Sequence, residues 1–231
     1  RWKYYNASAF GHNVPMFGGR EQQFTPHNRG VKSGIDFASV NGRILQAEFD
    51  DETGGFWQMD LSKAYDGVLR VVRTVVHLFP GFVAVLDEGE LGKAEDISLR
   101  WHMIEVPDLK KDGALQLVSR GVGLTGQIDV IAGSLIEHRI QHHEYQAPFN
   151  RDRMGDLLDQ RREPYVETRL RDKQYRVLTM FALNTDSSKS WVPEETSWKI
   201  LTNDGDCEMS LSDSELRVFS SSGRIEFVVR L

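Results

Sequence analysis

The chain has 231 residues, a length at which one large all-β domain is common. Apolar residues make up 40% and charged residues 27%, a globular composition that excludes a disordered tail and a collagen-like repeat. With 28 Lys and Arg against 34 Asp and Glu, the net charge of −6 excludes holding nucleic acid by bulk field, so any polyanion needs a locally basic cleft.

No apolar run reaches the roughly 18 residues that cross a bilayer, which predicts no membrane span. The longest apolar region, Val68 to Leu86, is interrupted by Arg70, Arg73, His77 and Pro80. Cys207 stands alone, so an internal disulfide and a cysteine-based metal cluster are excluded. The opening Arg1-Trp2-Lys3-Tyr4-Tyr5 carries no Met and no signal peptide, and reads as a chain entered within a domain.

Strand and turn signals follow one another along the chain. Ile35 to Val40 and Arg43 to Phe49 flank Asn41-Gly42, the dipeptide best suited to a two-residue primed turn, and predict a core hairpin. Val68 to Phe79 is apolar on both alternating faces, as in a strand buried on two sides, and Phe82 to Leu86 continues as a second. Between Ile97 and Met103, Ile97, Leu99, Trp101 and Met103 alternate with Ser98, Arg100 and His102. Shorter strands are predicted at Leu115 to Val118, Ile128 to Ile131, Leu135 to Ile140, Arg176 to Leu183, Trp198 to Leu201, Glu208 to Leu211, Leu216 to Phe219 and Ile225 to Val229. Arg151 to Arg162 is the one helical pattern, weakened by Gly155, inside a polar excursion from Gln141 to Glu167 expected to carry no core strand.

These signals predict an all-β fold with very little helix: a large two-layer antiparallel β-sandwich, supersandwich-like, forming one domain over 1–231. Val72, Val76, Leu99, Trp101, Phe181 and Phe227 are its expected core residues.

Three common catalytic motifs are absent: no HExxH, no GxSxG and no Walker loop. Gly121 to Gly126 has the glycine spacing of a dinucleotide loop but precedes a predicted strand rather than a helix, and reads as a turn. His138, His142 and His143 cluster without a carboxylate or cysteine at ligand spacing, so a polar strand face is the simpler account. His77 ends a buried strand, as a hydrogen-bonded structural histidine does. His102 points away from its neighbour Trp101 and is a candidate to line a groove. His12 begins an HN dipeptide between an aromatic entry and Gly18-Gly19, with Gln22 shortly after.

That run, Gly11 to Gln22, resembles the HN-x-x-x-x-x-G-x-x-Q signature of the heparinase II/III-like polysaccharide lyases. Phe56 to Tyr65, ahead of Val71-Val72-Arg73-Thr74-Val75, is similar to the family's D-x-(T/S)-x-A-Y pattern before an Arg-bearing strand. Phe82-Val83-Ala84-Val85-Leu86-Asp87 and Leu99-Arg100-Trp101-His102 follow in the same order. The agreement covers about the first hundred residues, and the remainder fits as strands.

The resemblance implies a β-sandwich that packs against an N-terminal α-helical domain, with acidic polysaccharide bound between them. It implies β-elimination at a uronic acid by the whole enzyme, in the bacterial periplasm or outside the cell. It further implies zinc inside the sandwich, held by an upstream His and Asp and by the HN histidine, which His12 matches. The upstream ligands and the helical domain have no counterpart here, so His12 is a partial metal site and zinc is not expected to bind this chain alone. No catalytic residue is assigned; Tyr4, Tyr5 and His102 are the candidates for substrate contact. Val14-Pro15 and Gly18-Gly19 depart from the family's usual Thr and Asp-Gly, so the sugar is not carried over. Two other classes compete: a sugar-binding module using Trp57, Trp191 and Trp198, and a purely structural sandwich.

Overall fold

A computed structural model describes residues 8–23, 40–145, 147, 150–158, 162–184, 191–194, 197–202, 205–220 and 222–231. In chain order the strands are β1 (Pro15–Phe17), β2 (Arg43–Asp50), β3 (Gly54–Asp60), β4 (Val68–Leu78), β5 (Phe82–His102), β6 (Asp108–Leu109), β7 (Ala114–Ser119) and β8 (Val122–Ala132). They continue as β9 (Leu135–Glu144), β10 (Arg162–Asn184), β11 (Trp191–Glu194), β12 (Ser197–Thr202), β13 (Gly205–Leu211), β14 (Glu215–Ser220) and β15 (Glu226–Arg230). Short 3-10 turns at Ala9–Gly11 and Ser62–Ala64 are the helical pieces among the described residues.

Among the described residues all strand pairings are antiparallel and fall into two sheets. The large sheet runs β2-β3-β4-β5-β10-β8-β7-β6, with β1 added on β5 and β9 on β10. The small sheet is the meander β11-β12-β13-β14-β15. Trp198, Met209, Val218 and Val229 of the small sheet pack on Val76, Leu86, Leu178 and Met180 of the large one and form the first core. Val71, Val75, Val85 and Val177, on the opposite face of those large-sheet strands, are buried in a second core. Burial on both faces is why these strands read as unbroken apolar runs rather than alternating ones.

The second core arises because the long β5–β10 ladder folds back on itself. Phe181 pairs with Val83, eighteen residues from Trp101 along β5. A straight strand would separate them by roughly 60 Å at about 3.3 Å per residue. Their rings instead meet edge to face at 5.1 Å. The register breaks between Asp172 and Gln174, opposite Glu90 to Glu95. Close by, Tyr175 lies against Gly89, where an added Cβ would stand 2.4 Å from the ring. Phe17, Ile97, Leu99, Val166 and Leu170 of the outer half thereby pack over the inner half, adding a layer to the sandwich.

The expected core residues Val72, Val76, Leu99, Trp101 and Phe227 are buried, and Phe181 is half-buried against Trp101. Four sequence readings need correction. Residues 35–39, the first arm of the expected Asn41-Gly42 hairpin, lie outside the described residues; Val40 is in 3-10 conformation, and β2 forms a hairpin with β3 across Asp50 to Thr53. The Asp50 carboxylate closes that turn by accepting from the N–H groups of Glu52 and Thr53. As the terminal strand of the sheet, β2 is exposed, with Ile44 and Phe49 each 65% accessible, so it is not core.

The excursion from Gln141 to Glu167 is shorter than expected, since β9 extends to Glu144 and β10 starts at Arg162. Val166 is fully buried there, and the polar residues that hid the strands are paired in ion bridges such as Arg139 with Glu167. Arg151 to Leu158 is a turn closed by a bridge between Arg151 and Leu157, not a helix; Asp152 accepts from the N–H groups of Met154 and Asp156, and Gly155 has φ 92°. In the Gly121 to Gly126 run, only Arg120-Gly121 makes a turn, and β8 begins at Val122.

Candidate functional site

The HN segment is held at the outer half of the folded ladder by residues from three directions. His102, the last residue of β5, directs its backbone N–H and its ring Nδ1 at the Asn13 Oδ1, at 2.8 and 2.9 Å. A carbonyl oxygen that already receives the N–H can only accept, so Nδ1 is the protonated nitrogen of His102. Arg100, two residues earlier on the same face, donates to the Phe10 carbonyl at 3.3 Å and lies between the Phe10 and Tyr165 rings, 5.4 and 4.7 Å from their centroids. Arg73 of β4 donates to the Asn13 carbonyl from the other side.

These anchors rest on buried charge. Arg73 forms a two-pronged pair with Asp87 at 2.7 and 2.9 Å, and Asp87 is fully buried. Glu167 is buried beneath Arg100 and Arg139, and it also accepts from Ser98 at 2.6 Å. Burial works against the Glu167 charge, but the bonds from Ser98, Arg139 and Arg100 outweigh it and hold the carboxyl below its ordinary range.

His12 is thereby presented outward. It is exposed, and its Nδ1 lies 2.7 Å from the Ser8 carbonyl. The carbonyl is an acceptor, so Nδ1 carries the proton and Nε2 carries the lone pair. An imidazole oriented this way by a backbone carbonyl suits proton abstraction or metal ligation. The surrounding face is imidazole-rich and aromatic. The His102 and Tyr165 rings lie 5.3 Å apart, the His143 and Tyr145 rings 4.9 Å apart, and Tyr145 donates to Glu163 at 2.5 Å. Burial lowers the His102 pKa, with Arg100 and His12 adding to the effect and the Phe10 backbone and Glu163 opposing it. Burial also lowers His143, and it raises the Tyr165 hydroxyl.

The remaining signature residues are staples. Gln22 donates to the Tyr65 hydroxyl at 3.0 Å, and Tyr65 donates to the Pro15 carbonyl at 2.8 Å, so the two sequence motifs lock together beside Phe17. Asp60 accepts from the hydroxyl and N–H of Ser62, whose oxygen in turn accepts from the N–H of Val71. Burial pushes the Tyr65 phenol far above its ordinary range, which suits a structural hydroxyl.

The structure thus brings His12 and His102 together, with His102 turned inward onto Asn13. Tyr4 and Tyr5 lie outside the described residues. Sequence reasoning missed Arg100, Tyr165 and the clamping part of Asn13; the alternation around Trp101 placed Arg100 with His102, but Tyr165 comes from a segment read as a loop. Among the described residues no group of three or more His, Cys, Asp or Glu is placed to share a metal ion, and His12 offers a single imidazole. Below the clamp, a cleft of about 370 Å³ opens between the ladder halves, lined by Val83, Trp101, Met103, Phe181, Asn13 and His77, among others.

Against solved structures, the folded ladder with its five-stranded companion finds clear counterparts. Heparinase III superposes over 96% of this chain with a TM-score of 0.61 and 13% identity. The chain shares its fold with heparinase III. Heparan sulfate lyase HepC from Pedobacter heparinus matches over 95% with a TM-score of 0.57 and 12% identity. In each case the chain spans 30% of the solved protein's length. No family model and no curated protein matches the sequence. No helix among the described residues is long and apolar enough to cross a membrane.

Proposed function

We propose that the chain is the β-sandwich portion of a heparinase II/III-like polysaccharide lyase, acting on uronate-containing acidic polysaccharide by β-elimination. The observation that carries this reading is the HN segment itself. It is clamped by Arg73, Arg100 and His102 so that His12 faces outward with its Nε2 lone pair available, on a fold shared with heparan-degrading lyases.

The chemistry asks for such a group. The proton removed lies α to a carboxylate, and it is weakly acidic while that carboxylate keeps its charge. The site must neutralise the carboxylate, take the proton, and return one to the leaving oxygen. A neutral imidazole of fixed tautomer is suited to the middle task. The neutralising and protonating groups, like most of the groove wall, are assigned to a helical domain of the same protein. The solved counterparts are more than three times the length matched here, which leaves room for it. Periplasmic or secreted location belongs to the same proposal. The residues described do not form a zinc site, so no step is routed through a metal.

A sugar-binding platform using Trp57, Trp191 and Trp198 is the alternative from another class, but Trp198 is buried in the first core and Trp57 is half-buried and stacked on Phe49. The test is turnover of heparan sulfate, alginate and other uronates, followed by the absorbance of the unsaturated product. The longer protein containing this chain should cleave one of them and lose activity with His12→Ala. The 231-residue chain alone should bind the same polysaccharide weakly and leave it uncut. Full activity in His12→Ala would end the assignment of His12.

A further inference from the structure

We infer that Asn13 and His102 form a positioning unit that holds the His12 imidazole in its Nδ1–H form, with Nε2 turned outward. The inference rests on the proposed groove role of His12 and assigns two residues that act through it.

The geometry is a clamp across the ends of a four-residue segment. At one end the Asn13 Oδ1 takes two donors from the same residue, the His102 N–H at 2.8 Å and its ring Nδ1–H at 2.9 Å. At the other end the Phe10 carbonyl accepts from Arg100 at 3.3 Å. Between them the 3-10 turn Ala9–Gly11 closes through the Gly11 N–H to the Ser8 carbonyl and the His12 N–H to the Ala9 carbonyl. His12 caps this turn in extended conformation, φ −130° and ψ 158°, which brings its Nδ1 back over the Ser8 carbonyl at 2.7 Å. That last bond alone selects the tautomer, and it is exposed. An exposed single bond to an isolated turn would be contested by water; fixing the chain direction on both sides of His12 keeps it formed.

The requirement for Asn at position 13 is then chemical. The side chain must be short and must accept twice through one oxygen. Leucine has the same shape without an acceptor. Aspartate keeps the acceptor and adds charge.

The test reads the imidazole nitrogens directly, by 15N NMR of the 231-residue chain at pH 8. The native protein should show His12 protonated at Nδ1 and bare at Nε2. Asn13→Leu should move the His12 tautomer ratio toward Nε2–H by about fivefold or more, the shift expected from losing one ordinary hydrogen bond. Asn13→Asp should restore most of the native ratio, which a merely structural role would not require. His102→Phe removes the ring bond to Asn13 and leaves its N–H on Asn13, so a smaller shift in the same direction is expected; it also decides the matter if Asn13→Leu fails to fold. A folded Asn13→Leu or His102→Phe protein with the native His12 tautomer overturns the inference. Absence of lyase activity in the longer protein would overturn the proposed function instead and leave the tautomer result standing.

Discussion

Replacing Asp87 by Asn removes the carboxylate that holds Arg73 inside the large sheet. Asp87 is fully buried and Arg73 nearly so, and their two contacts of 2.7 and 2.9 Å match a guanidinium fork on a carboxylate. Burying both ions costs several kcal/mol, which the pair's attraction offsets only while both members are present. Asn keeps the shape but leaves Arg73 as an uncompensated buried cation beside Trp101, whose ring it faces at 5.7 Å. Breaking such a pair costs about 3–5 kcal/mol, a large part of the roughly 5–15 kcal/mol that holds a domain together. Urea unfolding followed by tryptophan fluorescence measures the loss. With a slope of about 2 kcal/mol per molar, the midpoint should fall by roughly 2 M. The double substitution Asp87→Leu with Arg73→Met should recover most of this stability, because well-packed apolar side chains replace buried pairs at little net cost. A midpoint shift below about 0.5 M in Asp87→Asn, which is about 1 kcal/mol at that slope, would refute the reasoning.

Three further outcomes follow from the packing and charge. Trp198→Ala, which empties the largest fully buried side chain of the first core and removes its 3.0 Å bond to Asp129, should cost about 3–5 kcal/mol by the same urea assay. Gly54 has φ 107°, and a Cβ there would stand 2.0 Å from the His77 carbonyl oxygen, so Gly54→Ala should destabilise by more than about 1 kcal/mol and lower the thermal midpoint. Glu167 has a folded pKa below its unfolded value of about 4.3, so its contribution is complete above that value and is lost as pH falls through the folded pKa. Unfolding of Glu167→Gln measured from pH 6 down to pH 2 should therefore show a flatter acid limb than the native protein, and parallel limbs would contradict the assignment.

Period-two patterning and turn dipeptides carried most of the fold, because strands buried on one or two faces write their environment directly into residue type. Val68 to Leu78 and the alternation from Ile97 to Trp101 are examples. The union of Phe82 to Leu86 with Ile97 to His102 in one strand was not legible. Gly89, Lys93 and Glu95 lie between them and lower the local apolar signal, although the backbone pairing continues nearly unbroken. Tyr165 and Val166 were missed for a related reason: the charged residues around them are neutralised by partners from β5 and β9 that no local window contains. At the site, the HN motif located His12 and Asn13, and the strand alternation located His102. What the sequence could not show is that Arg100 would clamp the same segment through Phe10, because that contact spans ninety residues.

The folded ladder also sets an order in which this protein can form. The β4–β5 hairpin joins Leu78 to Phe82 across a tight turn, and β12 to β15 are linked by short connections, so these pieces form from near neighbours. The central pairing cannot, since Phe82 meets Ala182 one hundred residues later, and neither core is complete until β10 is in place. Closing so long a loop before any contact repays it makes folding slow. On the ribosome, β5 emerges with one edge open and both faces apolar, and stays so until most of the chain has followed. During that interval the nascent chain exposes the edges and apolar faces that promote aggregation, which makes chaperone dependence during synthesis the expected cost of doubling one strand pair back on itself.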